Sequence, residues 1–496
     1  MRRLEKTFKI LSMGFIVSVA GCGGDKDRPT APTEDLTKGP LGQKLEVWSE
    51  KWANGEIKLE YQYFQEEQSD KPIQHGYYKS YYEDGTYKQR GQFREGSKEG
   101  AFVSFDAEGT IIDEDIYARG VCVALCEWIR TFGGSHSDYG HSVQQTADGG
   151  FIITGGIESY GNGGADVWLI KTDNAGTEQW STTFGGISDD LARSVQQTAD
   201  GGFIITGDTW SYGNGSSDVW LIKTDPAGVE LWSRTFGGSN ADYGFSVKQT
   251  TDGGFIITGH TASYGNGSTD VWLIKTDNAG TEQWSRTFGG SNWDEGLFVQ
   301  QTADGGFIVT GYTQSYGNGQ RDVWLIKTDN AGTEQWSRTS GGSNRDGCFS
   351  VQQTADGGFI VTGYTQSYGN GPRAAWLIKT DDAGAELWSR TFGGSESDWA
   401  YSVQQTADGG FIITGGTESY GNGRNDAWLI KTDDAGNELW SRSFGGSDED
   451  WAYSVQQTAD GGFVITGGTK SFGNGDYDVW LIKTDSEGLT EVLESD

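Results

Sequence analysis

"LCEWIRTFGGS", Leu125–Ser135, is worded like an ending, yet it precedes the segment it belongs to. The phrase returns as "EQWSTTFGG", "ELWSRTFGG" and "EQWSRTFGG", each time closing a longer unit. Trp128, Trp180, Trp232, Trp284, Trp336, Trp388 and Trp440 mark a frame of 52 residues without insertion or deletion. Seven blocks of the "SVQQT" type and seven of "LIKTD" follow, but the last unit runs out in "KTDSEGLTEVLESD", with Val492 where the frame needs Trp. The final unit therefore lacks its fourth segment, and "CEWIRTFGG" supplies it from the other end of the repeat array.

The segments within a unit separate by chemistry. "ADGG" and "DNAG" are tight turns, "SYGNG" is a longer Gly-rich connection, and "VWLIK" is apolar on both alternating faces. A period near 50 with four short strands per unit predicts a β-propeller blade. A β-solenoid is the other architecture considered, but its coils are shorter and lack three hairpins per repeat. The expected fold is all-β: a seven-bladed propeller of four-stranded blades over 126–485, closed by the N-terminal strand, which leaves no exposed edge at the seam. The units resemble the bacterial β-propeller repeats that carry a "GGS-x-x-D-Y…G…TG" pattern in secreted and surface proteins. That resemblance implies a fold and does not fix an activity.

Ahead of the ring, residues 44–120 carry a weaker repeat. Gly76 recurs as Gly100 and Gly85 as Gly109, with aromatics alternating with polar residues around "EDG" and "AEG" turns. This predicts a meander of β-hairpins, and it resembles the MORN-like repeats of bacterial proteins, a stalk or interaction module. At the start of the chain, Arg2, Arg3 and Lys6 precede a short apolar run, Ile10–Ala20, that ends in "VAGC", Val19–Cys22. This resembles the lipobox of bacterial lipoproteins. The resemblance implies that 1–22 is a signal peptide, that the new N-terminus is Cys22 with a diacylated thiol, and that 23–43 is a flexible tether. Gly23 rather than Asp after the Cys looks like outer-membrane routing in a Gram-negative cell. The other reading is an ordinary secretory signal with an incidental Cys. Residues 486–496 form an acidic tail.

A net charge of −33 from 37 basic and 70 acidic residues argues against nucleic acid as a partner, because phosphates would be repelled. Cys122, Cys126 and Cys348 make no disulfide framework, and four His without suitable spacing support no metal centre. No cofactor is expected. Nor is a catalytic constellation: the units are near-copies, whereas an active site needs acids, bases or ligands converging in one place.

Fourteen of the twenty Trp belong to the frame and are expected in the core between blades. Differences between units collect after "GGS", after "ITG" and after "GNG", three places expected on one face of the ring. Two readings stand: a binding face diversified after duplication, or loops that drift while the opposite turns are held by geometry. The four remaining repeat Trp, Trp210, Trp293, Trp399 and Trp451, are assigned to these loops, together with Tyr312, Tyr364 and the basic Arg321, Arg345, Arg373 and Arg424. These ten are the candidate ligand-binding residues, for a sugar, an acidic polymer or a partner protein. Asp138, Asp190, Asp242, Asp294, Asp346, Asp398 and Asp450 recur once per unit. They are read as turn caps, with a ring binding a cation at the channel mouth as the alternative. The expected function is a monomeric, lipid-anchored envelope protein that binds a protein or polysaccharide without catalysis. The alternatives are a multivalent lectin using the Tyr of the "SYGNG" loops, and a propeller lyase or hydrolase.

Overall fold

The computed structural model describes residues 127–490, together with 46–51, 57–64, 73–81, 87–94, 97–105, 111–118 and 121–124. The proposed signal peptide with Cys22, the tether, Cys126 and residues 491–496 lie outside the described residues. The chain divides into two compact units, Met1–Glu127 with Glu491–Asp496, and Trp128–Thr490. In the first, seven strands from Glu46 to Ala124 are hydrogen-bonded in chain order as one antiparallel sheet.

The second unit is the seven-bladed ring. Blade 1 consists of an inner strand Asp138–Gln145, a second Phe151–Ile157, a third Asp166–Thr172 and an outer strand Glu178–Phe184. The second and third strands are buried along their whole length, as their lack of polar alternation predicted, because a neighbouring blade covers each face. The core is correspondingly divided into seven clusters that straddle blade boundaries. Val167 and Leu169 of blade 1, for instance, pack with Phe203, Ile205, Trp220 and Ile222 of blade 2. Each such side chain contributes roughly 1.5–3 kcal/mol on burial.

Blade 7 closes as the sequence predicted. Its strands Asp450–Gln457, Phe463–Thr469 and Asp478–Thr484 are completed on the outside by Trp128–Phe132. The pairing runs from Val479↔Phe132 to Lys483↔Trp128, the register that Val219↔Phe236 to Lys223↔Trp232 has within blade 2. Trp128 then reaches into blade 1, where its ring lies 5.7 Å from that of Phe151 and against Gly176, whose φ is 76°. The clasp therefore joins two blades as well as finishing one.

The two sets of frame Trp differ. Those of "WLIK" are buried, Trp168 to Trp480, as expected. Of the outer-strand set only Trp128 is buried; the other six are partly exposed. Each lies across the Phe of the following blade at 5.9–6.1 Å. Arg234, Arg286, Arg338, Arg390 and Arg442 cover the rings of five of these six at 5.2–5.5 Å.

One face carries the "TADGG" and "DNAG" turns. Here the buried Lys of each "WLIK" segment pairs with the Asp of "TADGG" in its own blade, as in Lys171–Asp148 at 3.0 Å, and donates to the following backbone carbonyl at 2.8 Å. A buried ammonium left unpaired would be expensive, so the constancy of this face has a structural cause.

Every inner strand bulges at its fourth residue, between Ala192 and Ser194 in blade 2. The bulge pushes the strand against the Gly of "ITG": a Cβ on Gly207 would overlap the carbonyl oxygen of Leu191. Gly207→Ala is expected to lower stability by about 1–3 kcal/mol through overpacking, read as an earlier denaturant midpoint with an unchanged slope.

Candidate functional site

The other face gathers the blade-to-blade connections and the "SYGNG" loops, where the differences between units lie. Ala165 N, for example, donates to Asp189 Oδ1 at 3.0 Å, and Arg321 bridges to Arg345. The Asp ring serves as the turn cap the sequence suggested. Asp190 is fully buried and accepts from Gly186 N at 2.8 Å, Ser211 Oγ at 2.7 Å and Thr209 Oγ1. None of the seven lines the channel, and no group of three or more His, Cys, Asp or Glu able to hold a metal occurs among the described residues. The cation-ring alternative thus has no geometry behind it. A second set of buried Asp went unnoticed in the sequence; Asp218 accepts from Asn214 N at 2.7 Å, and burial raises its counterparts Asp166, Asp322 and Asp426 above the usual carboxylate range.

The ten candidate residues fall into three groups. Trp210 and Trp293 are half exposed, at 50 % and 48 %, in different blades. Arg345 and Arg424 are exposed, Arg345 donating from Nε to Gln320 Oε1 at 3.3 Å. The remaining six form a continuous arc across blades 4 to 7. Arg321 lies 3.4 Å above the ring of Tyr312 and donates from Nη1 to Tyr364 Oη at 3.2 Å. Arg373 stands between Tyr364 at 5.7 Å and Trp399 at 5.3 Å, and Trp399 meets Trp451 at 5.3 Å.

Two placements correct the sequence reading. Trp399 and Trp451 are the second residues of inner strands Asp398–Gln405 and Asp450–Gln457, not loop residues. Tyr312 and Tyr364 are 6 % and 8 % exposed, because the second strand continues two residues past "ITG" before the loop begins. Both Tyr therefore act as platforms for Arg321 and Arg373 rather than as free surface. Burial, then the charge and hydrogen bond of Glu295, raise Tyr312 well above the ordinary phenol range.

The channel, none of whose lining residues is among the ten candidates, is a cavity of 750 Å³ lined by the inner strands. The bulges aim their extra residue into it: His141, Arg193, Phe245, Leu297, Phe349, Tyr401 and Tyr453, five kinds of side chain in seven blades. Burial, then the charge of Arg193, hold His141 down at about 3, so it is neutral and bonds through Nδ1 to Ala192 O at 2.8 Å. Arg193 Nε lies 3.7 Å from Asp208 Oδ1, and burial raises Asp208 to about 6 against the opposing guanidinium. Cys348 stays outside the channel chemistry: its buried thiol is 2.7 Å from Gly311 O, and burial pushes it up to about 12.

Below the bulges, side chains satisfy the inward-pointing backbone of the next blade. Ser142 Oγ accepts from Val195 N at 3.3 Å and Gln144 Oε1 from Gln197 N at 2.6 Å. The pattern recurs around the ring, including the seam, where Ser454 and Gln456 accept from Val143 N and Gln145 N. Lys248 in place of Gln and Phe298 in place of Ser interrupt it. The signal was present in the sequence, as "SVKQ" and "LFVQQ" among copies of "SVQQ", but nothing in a single unit says that these positions face the channel.

No family model matches the chain. The chain is 29 % identical over 138 residues to the regulatory protein FlaEY of Caulobacter vibrioides, covering 25 % of this chain and 14 % of that one. It thus spans about one-seventh of the length of this curated relative. Among solved structures it is similar to the Neurospora crassa Pan2 WD40 domain, with 12 % identity, 71 % of this chain and 91 % of that chain covered, and a TM-score of 0.44. It is also similar to Sqt1 from Chaetomium thermophilum, with 13 % identity, 68 % and 83 % covered, and a TM-score of 0.41.

Proposed function

We propose that this chain is a non-enzymatic binding or scaffold propeller that takes a partner protein on the variable face and is held in the cell envelope by a lipid on Cys22. The observation that carries the binding face is the Arg and aromatic arc from Tyr312 to Trp451. It supplies stacked cations and apolar rings side by side, the side-chain types that dominate protein interfaces. The anchor rests on the "VAGC" motif alone.

The triple variant Arg373→Ala, Trp399→Ala, Arg424→Ala is expected to lose at least about tenfold of partner capture from envelope extract, the loss of one good interface anchor. A second variant, Arg345→Glu with Arg424→Glu, alters only exposed side chains, and Asn174→Ala in the opposite turns is the control. Equal recovery of the same partners by all of these proteins would rule out the variable face.

One observation favours the lectin as a second reading. Tyr212 is 48 % exposed, its ring 5.4 Å from Trp220 and its hydroxyl donating to Gly185 O at 2.9 Å. It borders a groove of 480 Å³ that also presents Glu230 and Arg234, and the equivalent groove at Tyr160 measures 690 Å³. A fixed ring beside polar groups can stack a sugar. Absence of signal on a glycan array at high density removes this reading.

A further inference from the structure

The channel departs from the rest of the molecule in charge. The chain carries 70 acidic residues, yet no acidic side chain lines the cavity, while Arg193 and Lys248 do. Arg193 has Asp208 beside it. Lys248 has no carboxylate within ion-pair distance among the described residues; its ammonium lies 5.2 Å from the ring of Phe298. Burial pulls this ammonium down to about 8.

The break in the ring of side-chain acceptors falls at the same place. A Lys cannot accept, so blade 3 offers Gln301 N no counterpart of the bond that Gln144 gives Gln197. A Phe cannot accept either, so blade 4 offers Val351 N no counterpart of the bond from Ser142 to Val195. The two substitutions thus place an ammonium without an ion-pair partner beside an aromatic face, and leave Gln301 N and Val351 N without the side-chain acceptor that their counterparts have. A single unpaired cation matches a monoanion, and a cavity of 750 Å³ has the size of a small-molecule site.

We propose that the central channel binds a small organic monocarboxylate with an apolar body. The carboxylate sits on Lys248 and the N–H of Gln301, and the body lies against Phe298 and Phe349. Lys248 belongs to the inner strand Asp242–Gln249 and takes no part in the arc, whereas Phe349 touches it through Tyr364, ring to ring at 6.0 Å.

The full chain, titrated by calorimetry with 3-phenylpropionate and with its neutral amide, is expected to bind the acid at least tenfold more tightly. Lys248→Gln restores the residue of the other six blades and is expected to fold; it should weaken acid binding at least tenfold. Lys248→Gln with Phe298→Ser, which rebuilds the acceptor ring, should abolish it. In the wild type, trinitrobenzenesulfonate should modify Lys248 ahead of the seven Lys paired to Asp, and 3-phenylpropionate should protect it. Equal affinity for acid and amide, unchanged acid binding in Lys248→Gln, or no saturable binding with no protection of Lys248 would each overturn the proposal. So would inorganic phosphate binding more tightly than the acid.

Discussion

Removal of residues 126–134 is expected to open the ring and cost the second unit its cooperative unfolding transition, whereas removal of 491–496 leaves that transition in place. The deletion exposes the edge of strand Asp478–Thr484 over the five positions Val479 to Lys483 that pair with Trp128–Phe132. It also removes Trp128, which is 3 % exposed and packed on Phe151 of blade 1. Loss of that side chain alone, in Trp128→Ala, is expected to cost about 3–5 kcal/mol. The whole strand costs more, because Ile129 and Phe132 also leave their clusters. Thermal unfolding and limited proteolysis measure both effects, and a synthetic peptide of residues 126–134 added to the deleted protein should restore protease resistance. A deleted protein that melts with the intact one would show that the seam is held by something other than this strand.

Lys248→Gln is expected to raise stability at pH 7 by about 1–3 kcal/mol, and the gain should vanish by about pH 10.5. In the native state burial holds Lys248 at about 8, below the ordinary value of about 10.4. Below pH 8 the side chain is charged in both states, and the folded protein bears the full desolvation penalty. Between 8 and 10.4 the unfolded chain binds more protons, so native stability rises with pH. Above both values the penalty is gone. Of the other titratable groups lining the cavity, His141, held at about 3, stays neutral, and Tyr401 and Tyr453, raised by burial above the ordinary phenol range, stay protonated. The difference between wild type and variant therefore isolates Lys248. Denaturant melts at pH 7 and pH 10 that shift in parallel for both proteins would sink this expectation. A residue that lowers stability where six equivalents do not is the pattern expected of a position kept for binding, the role proposed for Lys248.

The correct and incorrect parts of the sequence reading separate along one line. The frame of Trp128 to Trp440, the missing Trp at Val492 and the "WLIK" burial all concern positions repeated in every unit, although of the outer-strand Trp only Trp128 is buried as expected. A repeated residue occupies a repeated environment, so seven copies vote on it. Trp399 and Trp451 went astray because the inner strand begins at the Asp just before them, while the loop was assumed to run on. Tyr312 and Tyr364 went astray in the same manner at the other end of the second strand. Lys248 was passed over because its meaning lies in blade 4, on the backbone N–H it fails to serve.

By itself the sequence determined the number of blades, their closure by "CEWIRTFGG", and which face varies, since each follows from counting repeated chemistry along the chain. The tertiary structure alone decided which variable side chains meet solvent, the channel or another blade. That choice is made by the bulge in each inner strand and by the blade packed next to it. The bulge forms only when the inner strand pairs with the second strand of its blade, and the covering blade lies outside the 52 residues that carry the side chain.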